Sequence, residues 1–244
     1  PPVGLDPTRL DPAAVPEHVA VIMDGNGRWA KERGKNRLFG HKAGIEAVRE
    51  TIRCASDVGV RYLTIYSFSS ENWKRPQDEV IGLMNLFATT MLAEVDGLHE
   101  EHVRVMTIGR TDALPKKTRD AFAKAWEKTK DNDGMTLVVA VNYGGRPEIV
   151  RAARQLAQQV AEGTLKPEDI TEEMMSDHMY TAGQKDPDFI LRPSGEKRLS
   201  NFMLWQAAYA ELVEMDVLWP DFTRDDLDAA ITEFNKRSRR FGGI

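Results

Sequence analysis

Apolar residues occur along the chain in two alternating patterns. Short, nearly continuous apolar runs of strand length occupy residues 18–23, 61–68, 103–108, 135–142, 189–191 and 212–215. Between them, apolar residues recur with a helical period at residues 41–58, 79–99, 115–130, 146–162, 171–180 and 223–240. Strands that alternate with helices form mostly parallel sheets covered on both faces. The pattern therefore predicts an α/β fold, a single domain with a central, mostly parallel sheet flanked by helices.

The amino-terminal segment differs from the rest of the chain. Residues 1–16 contain five prolines and show no sustained periodicity. Proline-rich terminal segments without a packing pattern are commonly poorly ordered. We therefore expect a flexible arm at 1–16 and one folded domain at 17–244.

Composition narrows the class of protein. The chain has 244 residues, and its 33 basic against 38 acidic side chains give a net charge of −5. A general nucleic-acid binder needs a basic face, so no nucleic-acid partner is expected. The single cysteine, Cys54, excludes a disulfide framework and a multi-cysteine zinc site. The longest apolar run, 135–141, is too short to span a bilayer, and we expect a cytoplasmic protein.

Polar segments follow several of the predicted strands, at 24–28, 69–75, 142–146 and 192–200. In an open α/β sheet, ligands bind at the carboxyl ends of the strands, beside helix N-termini. We expect these four segments to gather at one edge of the sheet.

The first polar segment has the residue types of a phosphate-binding loop. Gly25 and Gly27 flank Asn26 directly after a strand, so the backbone can approach a ligand closely. Arg28 adds a forked donor that suits phosphate. A carboxylate beside phosphates needs an intervening cation, so Asp24 suggests Mg²⁺. The alternative is a tight turn that caps a helix.

A second basic cluster lies at 192–201, where arginines, a lysine and serines surround one glycine. These donors suit a second anion, although a surface loop has the same composition. Arg33, Arg37 and His41 form a phosphate clamp or a solvated basic face. Glu211 either assists a metal or anchors an arginine. The unusually apolar helix at 79–99 is buried core or lines an apolar tunnel.

Five segments resemble the cis-prenyltransferases, in particular their bacterial undecaprenyl diphosphate synthase branch. They are HVAVIMDGNGRWA (18–30), RLFGH (37–41), SFSSENWKRP (67–76), VNYGGRPEI (141–149) and DPDFILRPSGEKRLSNFMLWQAAYAEL (186–212). The resemblance implies that 17–244 is a catalytic domain that elongates an allylic diphosphate with isopentenyl diphosphate and requires Mg²⁺. It further implies a homodimer, an apolar tunnel for the growing chain and a transient peripheral contact with membranes.

The resemblance also assigns roles to individual residues. Asp24 and Asn72 are expected to be catalytic, and Asp24 and Glu211 to serve the metal. The expected substrate-binding residues are Gly25, Asn26, Gly27, Arg28, Trp29, Arg37, His41, Ser69, Ser70, Glu71, Trp73, Arg75, Arg192, Arg198, Ser200, Arg240 and Gly242. The chain departs from the family pattern at Pro193, which removes a backbone donor, and at Lys197, which replaces a metal-binding histidine and could contact phosphate.

Two other functions are weighed against this one. A non-catalytic partner subunit would lack the loop acid and its neighbours, which this chain retains. A phosphatase would need a nucleophile or a metal cluster, which the sequence does not display. Small residues at Ser67, Gly82 and Ala88 predict room in the tunnel. The expected product is therefore medium to long, such as undecaprenyl or decaprenyl diphosphate.

Overall fold

The computed structural model describes residues 14–237. Six strands form one sheet in this part of the chain: β1 (His18–Ile22), β2 (Tyr62–Ser69), β3 (Arg104–Ile108), β4 (Thr136–Tyr143), β5 (Phe189–Arg192) and β6 (Glu211–Glu214). Their order is β3-β4-β2-β1-β5-β6, and every neighbouring pair is parallel. All residues of β1 and β4 are buried, as expected for parallel strands covered on both faces. The predicted fold class is confirmed.

Seven α-helices connect or follow these strands. They are α1 (Asn26–Glu32), α2 (Arg37–Val58), α3 (Gln77–Glu100), α4 (Lys116–Thr129), α5 (Gly145–Ala161), α6 (Glu172–Asp177) and α7 (Arg224–Lys236). The side chain of Asn36 caps α2 by accepting a hydrogen bond from the Phe39 N–H. Gly59 ends α2 in the left-handed conformation, at φ 92°, which glycine adopts at little cost. Short 3₁₀ turns occupy Ser70–Lys74 and Trp219–Asp221.

The final helix is shorter than the periodicity predicts. It was expected to continue to residue 240, but α7 ends at Lys236, and Arg237 has extended dihedral angles. The Arg237 guanidinium donates to Glu211 Oε2 and to the Leu212 carbonyl, at 3.0 and 2.9 Å. These contacts draw the chain towards β6 and away from the helix axis. Residues 238–240 lie outside the described part.

The two faces of the sheet carry different cores. The larger core joins the sheet to α2, α3, α4 and α7. The smaller core, on the other face, centres on Tyr143, Phe202 and Met203, with Tyr66 half-buried at its margin. The rings of Tyr66 and Phe202 are stacked with centroids 4.4 Å apart. The sheet is therefore covered more thickly on the α2–α3 side.

Helix α3 is long and apolar enough, by length and composition alone, to cross a membrane. No such segment was predicted from the length of the apolar runs in the sequence. Core helices of folded domains satisfy the same criterion, and α3 contacts α2, α4 and β3. Its buried residues include Leu83, Met84 and Ala88. We therefore assign α3 to the helical layer over the sheet.

The start of the described chain is held against the domain. Pro16 is buried, and Val15 packs against the larger core. Asp188 Oδ2 accepts hydrogen bonds from the backbone N–H groups of Glu17 and His18, at 2.8 and 3.0 Å. Packed structure thus begins just before residue 17. Residues 1–13 of the expected arm lie outside the described part.

Candidate active site

The loop after β1 leads directly into the helix α1, which the hydrophobic pattern of the sequence does not predict. Gly25 has φ 104° and stands at the N-cap of α1. Its N–H donates to Asp24 Oδ1 at 2.7 Å. A Cβ atom at this position would collide with Ser194 Oγ. Glycine is therefore required here for its backbone conformation and for the close approach of the loop that follows β5.

Asp24 and Arg192 join the two anion-binding segments predicted from sequence. Arg192 Nη2 donates to Asp24 Oδ2 at 2.9 Å, and the Arg192 side chain is only 4 % exposed. Arg192 Nη1 also donates to Ser200 Oγ at 2.7 Å and to the Arg198 carbonyl. The parallel pairing of β1 with β5 places both strand ends at the same edge. The site thus combines one carboxylate with a buried guanidinium.

The other cations after β5 point away from this pair. The Arg198 guanidinium forms an ion pair with Glu196 and is mostly exposed. Lys197 forms an ion pair with Glu214 on β6. The phosphate contact of Lys197 stays a prediction. Arg28 Nη2 lies 3.6 Å from Glu196 Oε1, and Arg28 Nη1 donates to the Ser194 carbonyl at 3.0 Å.

A second group of cations lies between the start of α2 and the start of α3. Arg75 Nη1 donates to Glu79 Oε1 at 3.0 Å, and Arg37 lies 3.8 Å from the same oxygen. A Cβ atom on Gly27 would lie 2.9 Å from Arg37 Nε, so this second group of cations adjoins the loop after β1. Burial, reinforced by Arg75 and Arg37, lowers the pKa of His41 to about 4. His41 is therefore a neutral hydrogen-bonding group near pH 7.

The segment after β2 is a structured turn. Its first residues form a capping box, in which Asn72 Oδ1 accepts from the Ser69 N–H at 3.0 Å. Trp73 Nε1 donates to Asn142 Oδ1 at 2.7 Å, and its ring packs edge-on against Phe68. These contacts connect the ends of β2 and β4. Asn72 is therefore fixed at the site edge by its capping role.

Glu71 is held by the segment that follows β5. Burial opposes ionisation, but hydrogen bonds from the side chains of Asn201, Ser69 and Ser70 and from its own backbone lower the pKa of Glu71. Asn201 donates to Glu71 at 2.8 Å and accepts from the Arg146 N–H. Its φ of 64° is left-handed, a conformation that asparagine tolerates. All four predicted polar segments therefore meet at one edge.

Glu211, expected to serve the metal, lies away from Asp24. Glu211 pairs in register with Phe189, at the amino end of β6, whereas Arg192 pairs with Glu214 at the carboxyl end. Glu211 accepts from Arg237 at 3.0 Å, so this chain shows its arginine-anchoring role and does not bring it to Asp24. Among the described residues, no three metal-ligating side chains cluster. Arg240 and Gly242 lie outside the described residues.

Sequence reasoning missed Glu79, Ser194 and Asn201 as members of the site. Glu79 had a local signal, because it follows Arg75 by four residues, the spacing of helical ion pairs. Ser194 and Asn201 lie in the basic cluster predicted at 192–201, but their partners were not evident from sequence: Ser194 approaches Gly25, and Asn201 contacts Glu71 and Arg146. Their places depend on strand order.

An apolar cavity of about 180 Å³ begins beneath the loop after β1 and extends between α2, α3 and the sheet. Ser67 lines it, as the tunnel prediction requires. Gly82 does not, because Leu38 occupies the space beside it, and the buried Ala88 is not part of the lining. The residues that line the cavity are Met23, Asn26, His41, Gly44, Ile45, Val48, Arg49, Ile52, Arg53, Ile65, Tyr66, Ser67, Leu86, Phe87, Thr90, Met91, Glu94, Gly97, Leu98, Glu101, Phe122, Leu137, Val139 and Trp219.

Comparison with known proteins gives concordant matches over nearly the full chain. Residues 22–242 match the family model described as putative undecaprenyl diphosphate synthase. An isoprenyl transferase of Rhizobium meliloti is 52 % identical over 235 residues, covering 96 % of this chain and 95 % of the relative. One from Clostridium perfringens is 50 % identical over 230 residues, covering 94 % and 91 %.

Solved structures agree with these sequence matches. Lavandulyl diphosphate synthase from Lavandula x intermedia, in complex with dimethylallyl diphosphate, superposes with a TM-score of 0.91 at 37 % identity, over 94 % of this chain and 99 % of that one. A probable undecaprenyl diphosphate synthase from Campylobacter jejuni gives 0.77 at 32 % identity, over 93 % and 98 %.

Proposed function

Since this chain belongs to the undecaprenyl diphosphate synthase family of prenyltransferases, we propose that it condenses isopentenyl diphosphate onto an allylic diphosphate with cis geometry. Farnesyl diphosphate is the proposed primer. The product is a medium-to-long polyprenyl diphosphate, such as the undecaprenyl or decaprenyl compound, which is a precursor of the cell-wall carrier lipid. The observation that carries this proposal is the contact between Asp24 and Arg192, which joins two anion-binding segments above an apolar cavity.

The two segments suit two diphosphates. The allylic diphosphate is assigned to the N-terminus of α1, where the backbone N–H groups of Asn26, Gly27 and Arg28 attract an anion and Gly25 allows its close approach. The cations Arg37 and Arg75, with His41, adjoin that position, and Trp29 and Trp73 are assigned to the same substrate. Isopentenyl diphosphate is assigned to Arg192, Arg198 and Ser200. Arg240 and Gly242 complete this second site in the proposal. That a structural neighbour is solved with dimethylallyl diphosphate supports the allylic assignment.

Magnesium fits the donor set at the end of β1. Mg²⁺ is commonly held by one or two carboxylates together with substrate phosphate oxygens and water. Asp24 supplies one partly exposed carboxylate between the two anion-binding segments. When bound, the ion neutralises charge on the diphosphate oxygens and on the leaving group. A second protein carboxylate is not needed for this fit, which agrees with the position of Glu211 away from Asp24.

The residues of the chain contribute to the reaction mainly through electrostatics. The allylic C–O bond breaks and leaves a delocalised cation and an anionic diphosphate. The double bond of isopentenyl diphosphate then adds to the cation to form the new C–C bond, and a proton is lost. The helix N–H groups, Arg28 and Arg37 face the departing charge, and preorganised donors of this kind provide large rate enhancements. The apolar cavity wall excludes water from the cation. Asn72 lies at the same edge and orients the loop that carries Trp73 and Arg75.

The assembly and location of the protein are part of the proposal. Half-buried apolar residues at the margin of the smaller core, among them Tyr66, Met106 and Leu212, suit a homodimer contact on that sheet face. The enzyme acts in the cytoplasm. It delivers its apolar product through transient contact with the membrane, because such a product is insoluble in water.

A product assay tests the function. The purified protein is incubated with Mg²⁺, farnesyl diphosphate and labelled isopentenyl diphosphate, and the dephosphorylated product is measured by mass spectrometry. Incorporation into a decaprenyl- or undecaprenyl-length product is expected. A farnesyl-length endpoint would refute the assigned length. Absence of transfer by the protein alone would favour a partner subunit, and release of inorganic phosphate without transfer would favour a phosphatase.

A further inference from the structure

The cavity is small for the product assigned to it. Its volume of about 180 Å³ is close to that of an engineered protein cavity that holds a single benzene molecule, about 150 Å³. A polyprenyl tail therefore needs a wider space than the structure contains. Because α2 and α3 form one side of the cavity, their separation is the direct way to widen it.

Ion pairs connect α2 and α3 beyond both ends of the apolar section. Near the diphosphate site, Arg37 on α2 lies 3.8 Å from Glu79 on α3. At the far end, Arg49 pairs with Glu94 at 2.6 Å, and Arg53 lies 3.8 Å from Glu101. We call the Arg49–Glu94 and Arg53–Glu101 contacts the far-end ion pairs. All four of these residues line the cavity.

The Arg49 side chain is fixed more firmly than an ordinary surface arginine. Its Nε and Nη2 both donate to Glu94 Oε1, at 2.9 and 2.6 Å. Its Nη1 donates to Glu46 Oε2, one turn earlier on α2, at 2.7 Å. An arginine with several short, charge-assisted bonds loses them when the helices part. Arg49 therefore resists separation of α2 from α3.

Gly97 leaves a gap between the far-end ion pairs. It lies on α3 between Glu94 and Glu101 and lines the cavity. A Cβ atom placed on Gly97 would meet nothing within 4 Å. Glycine within a helix is less favourable than alanine, so packing does not explain its presence here. Gly97 is itself exposed, so the gap is the solvent-open end of the cavity past Arg49.

We propose that the Arg49–Glu94 ion pair ties α2 to α3 at the far end of the cavity and sets the length at which product elongation stops. The inference rests on the proposed function. A tail that grows past Met91 reaches this pair and must part it or enter the gap at Gly97. Parting it breaks the short, charge-assisted bonds between Arg49 and Glu94. A tail that passes the pair also reaches the solvent-open end at Gly97, where exposure of hydrocarbon to water is unfavourable. Further elongation then becomes less favourable than release.

Two variants shift the product length in opposite directions. In the double variant Arg49→Met with Glu94→Leu, apolar side chains of similar volume replace the pair, and such replacements are often tolerated. The mean product length is expected to increase by at least one five-carbon unit. In Gly97→Leu, the added side chain fills the gap, and the mean length is expected to decrease by at least one unit. Mass spectrometry of the dephosphorylated products measures both.

A matched control is available on the other side of α3. Asp96 forms an ion pair with Lys128 of α4, and neither residue lines the cavity. The double variant Asp96→Leu with Lys128→Met removes a pair of the same kind and is expected to leave the product length unchanged. The rate of the first condensation, measured with the same primer in every variant, distinguishes a change in product length from a general loss of activity.

The outcomes distinguish the inference from the function. A wild-type length distribution in both the Arg49/Glu94 and Gly97 variants, with the wild-type protein active, would overturn the inference and leave the function intact. Equal lengthening in the control would also overturn it, because any loosening of α3 would then suffice. Absence of incorporation by the wild-type protein would overturn the proposed function and the inference with it.

Discussion

Asp24 Oδ2 accepts a hydrogen bond from Arg192 Nη2 at 2.9 Å, across 168 positions of sequence. The two residues follow neighbouring parallel strands, β1 and β5. Arg192 is almost completely buried, whereas Asp24 is about one-third exposed. The carboxylate thus faces the solvent side of the site while the guanidinium holds it from beneath. A ligand that approaches either anion-binding segment encounters both groups.

The role of Asp24 is tested by Asp24→Asn. The amide is isosteric but has no negative charge, so it neither attracts a divalent cation nor balances Arg192. We expect turnover to fall by roughly 100-fold to 1,000-fold, the range seen when one stabilising group is removed from an active site. Because the buried Arg192 loses its counter-charge, the melting temperature is expected to fall, so turnover is compared at a temperature at which both proteins are folded. Near-normal turnover in a folded variant would contradict the assigned role.

Stability is expected to depend on pH through His18. Burial lowers the pKa of His18 to about 4, from an ordinary value of 6.5. A hydrogen bond to the Lys185 carbonyl and the carboxylates of Asp188 and Glu17 act in the opposite direction but are weaker. The unfolded state therefore binds a proton that the folded state rejects, and stability decreases as the pH falls from 6.5 towards 4. This shift corresponds to about 3 kcal/mol.

Urea unfolding at several pH values tests this prediction. His41, whose pKa is also lowered to about 4, contributes in the same direction and remains in the variant. His18→Gln is therefore expected to lose only part of the pH dependence of the unfolding free energy. An identical pH dependence in wild-type and variant would show that His18 is not the titrating group.

Glu148 is predicted to stabilise the smaller core. This carboxylate is 1 % exposed and accepts from the Tyr143 hydroxyl, the Tyr180 N–H and the Gln206 side chain. Glu148→Leu leaves the Tyr143 hydroxyl and the Tyr180 N–H without this acceptor, while Gln206 keeps Thr181, and the loss is expected to cost roughly 3 kcal/mol. Chemical denaturation measures the loss. The same substitution at the exposed Glu168 serves as the control, and a comparable effect there would refute the prediction.

The carboxyl terminus carries a prediction that follows from the resemblance alone. Arg240 and Gly242 lie outside the described residues and are assigned to the isopentenyl diphosphate site. A chain that ends before Arg240 is expected to have a higher KM for isopentenyl diphosphate, with a smaller change for farnesyl diphosphate. Steady-state kinetics with each substrate varied in turn decides this. An equal change in both would argue against a specific role.

The sequence predicted most of the secondary structure because its hydrophobic periods are unambiguous. The run at 18–23 is buried on every side in β1, and the helical stretch 41–58 belongs to α2. The errors lie where local pattern is weak. Helix α1 was missed because its N-cap depends on the left-handed Gly25, and α7 was overextended because Arg237 contacts Glu211 across the fold.

The sequence by itself determined the α/β class, the four polar segments at strand ends and the family, because strand period, glycine positions and motif residues are local properties. The tertiary structure decided which of those residues meet. It joined Asp24 to Arg192, directed Arg198 and Lys197 to carboxylates, and separated Glu211 from the site. The physical reason is that strand order and register set distances between residues far apart in sequence. The apolar pattern of 79–99 indicated a tunnel, but its small volume and the ion pairs that border it between α2 and α3 depend on packing.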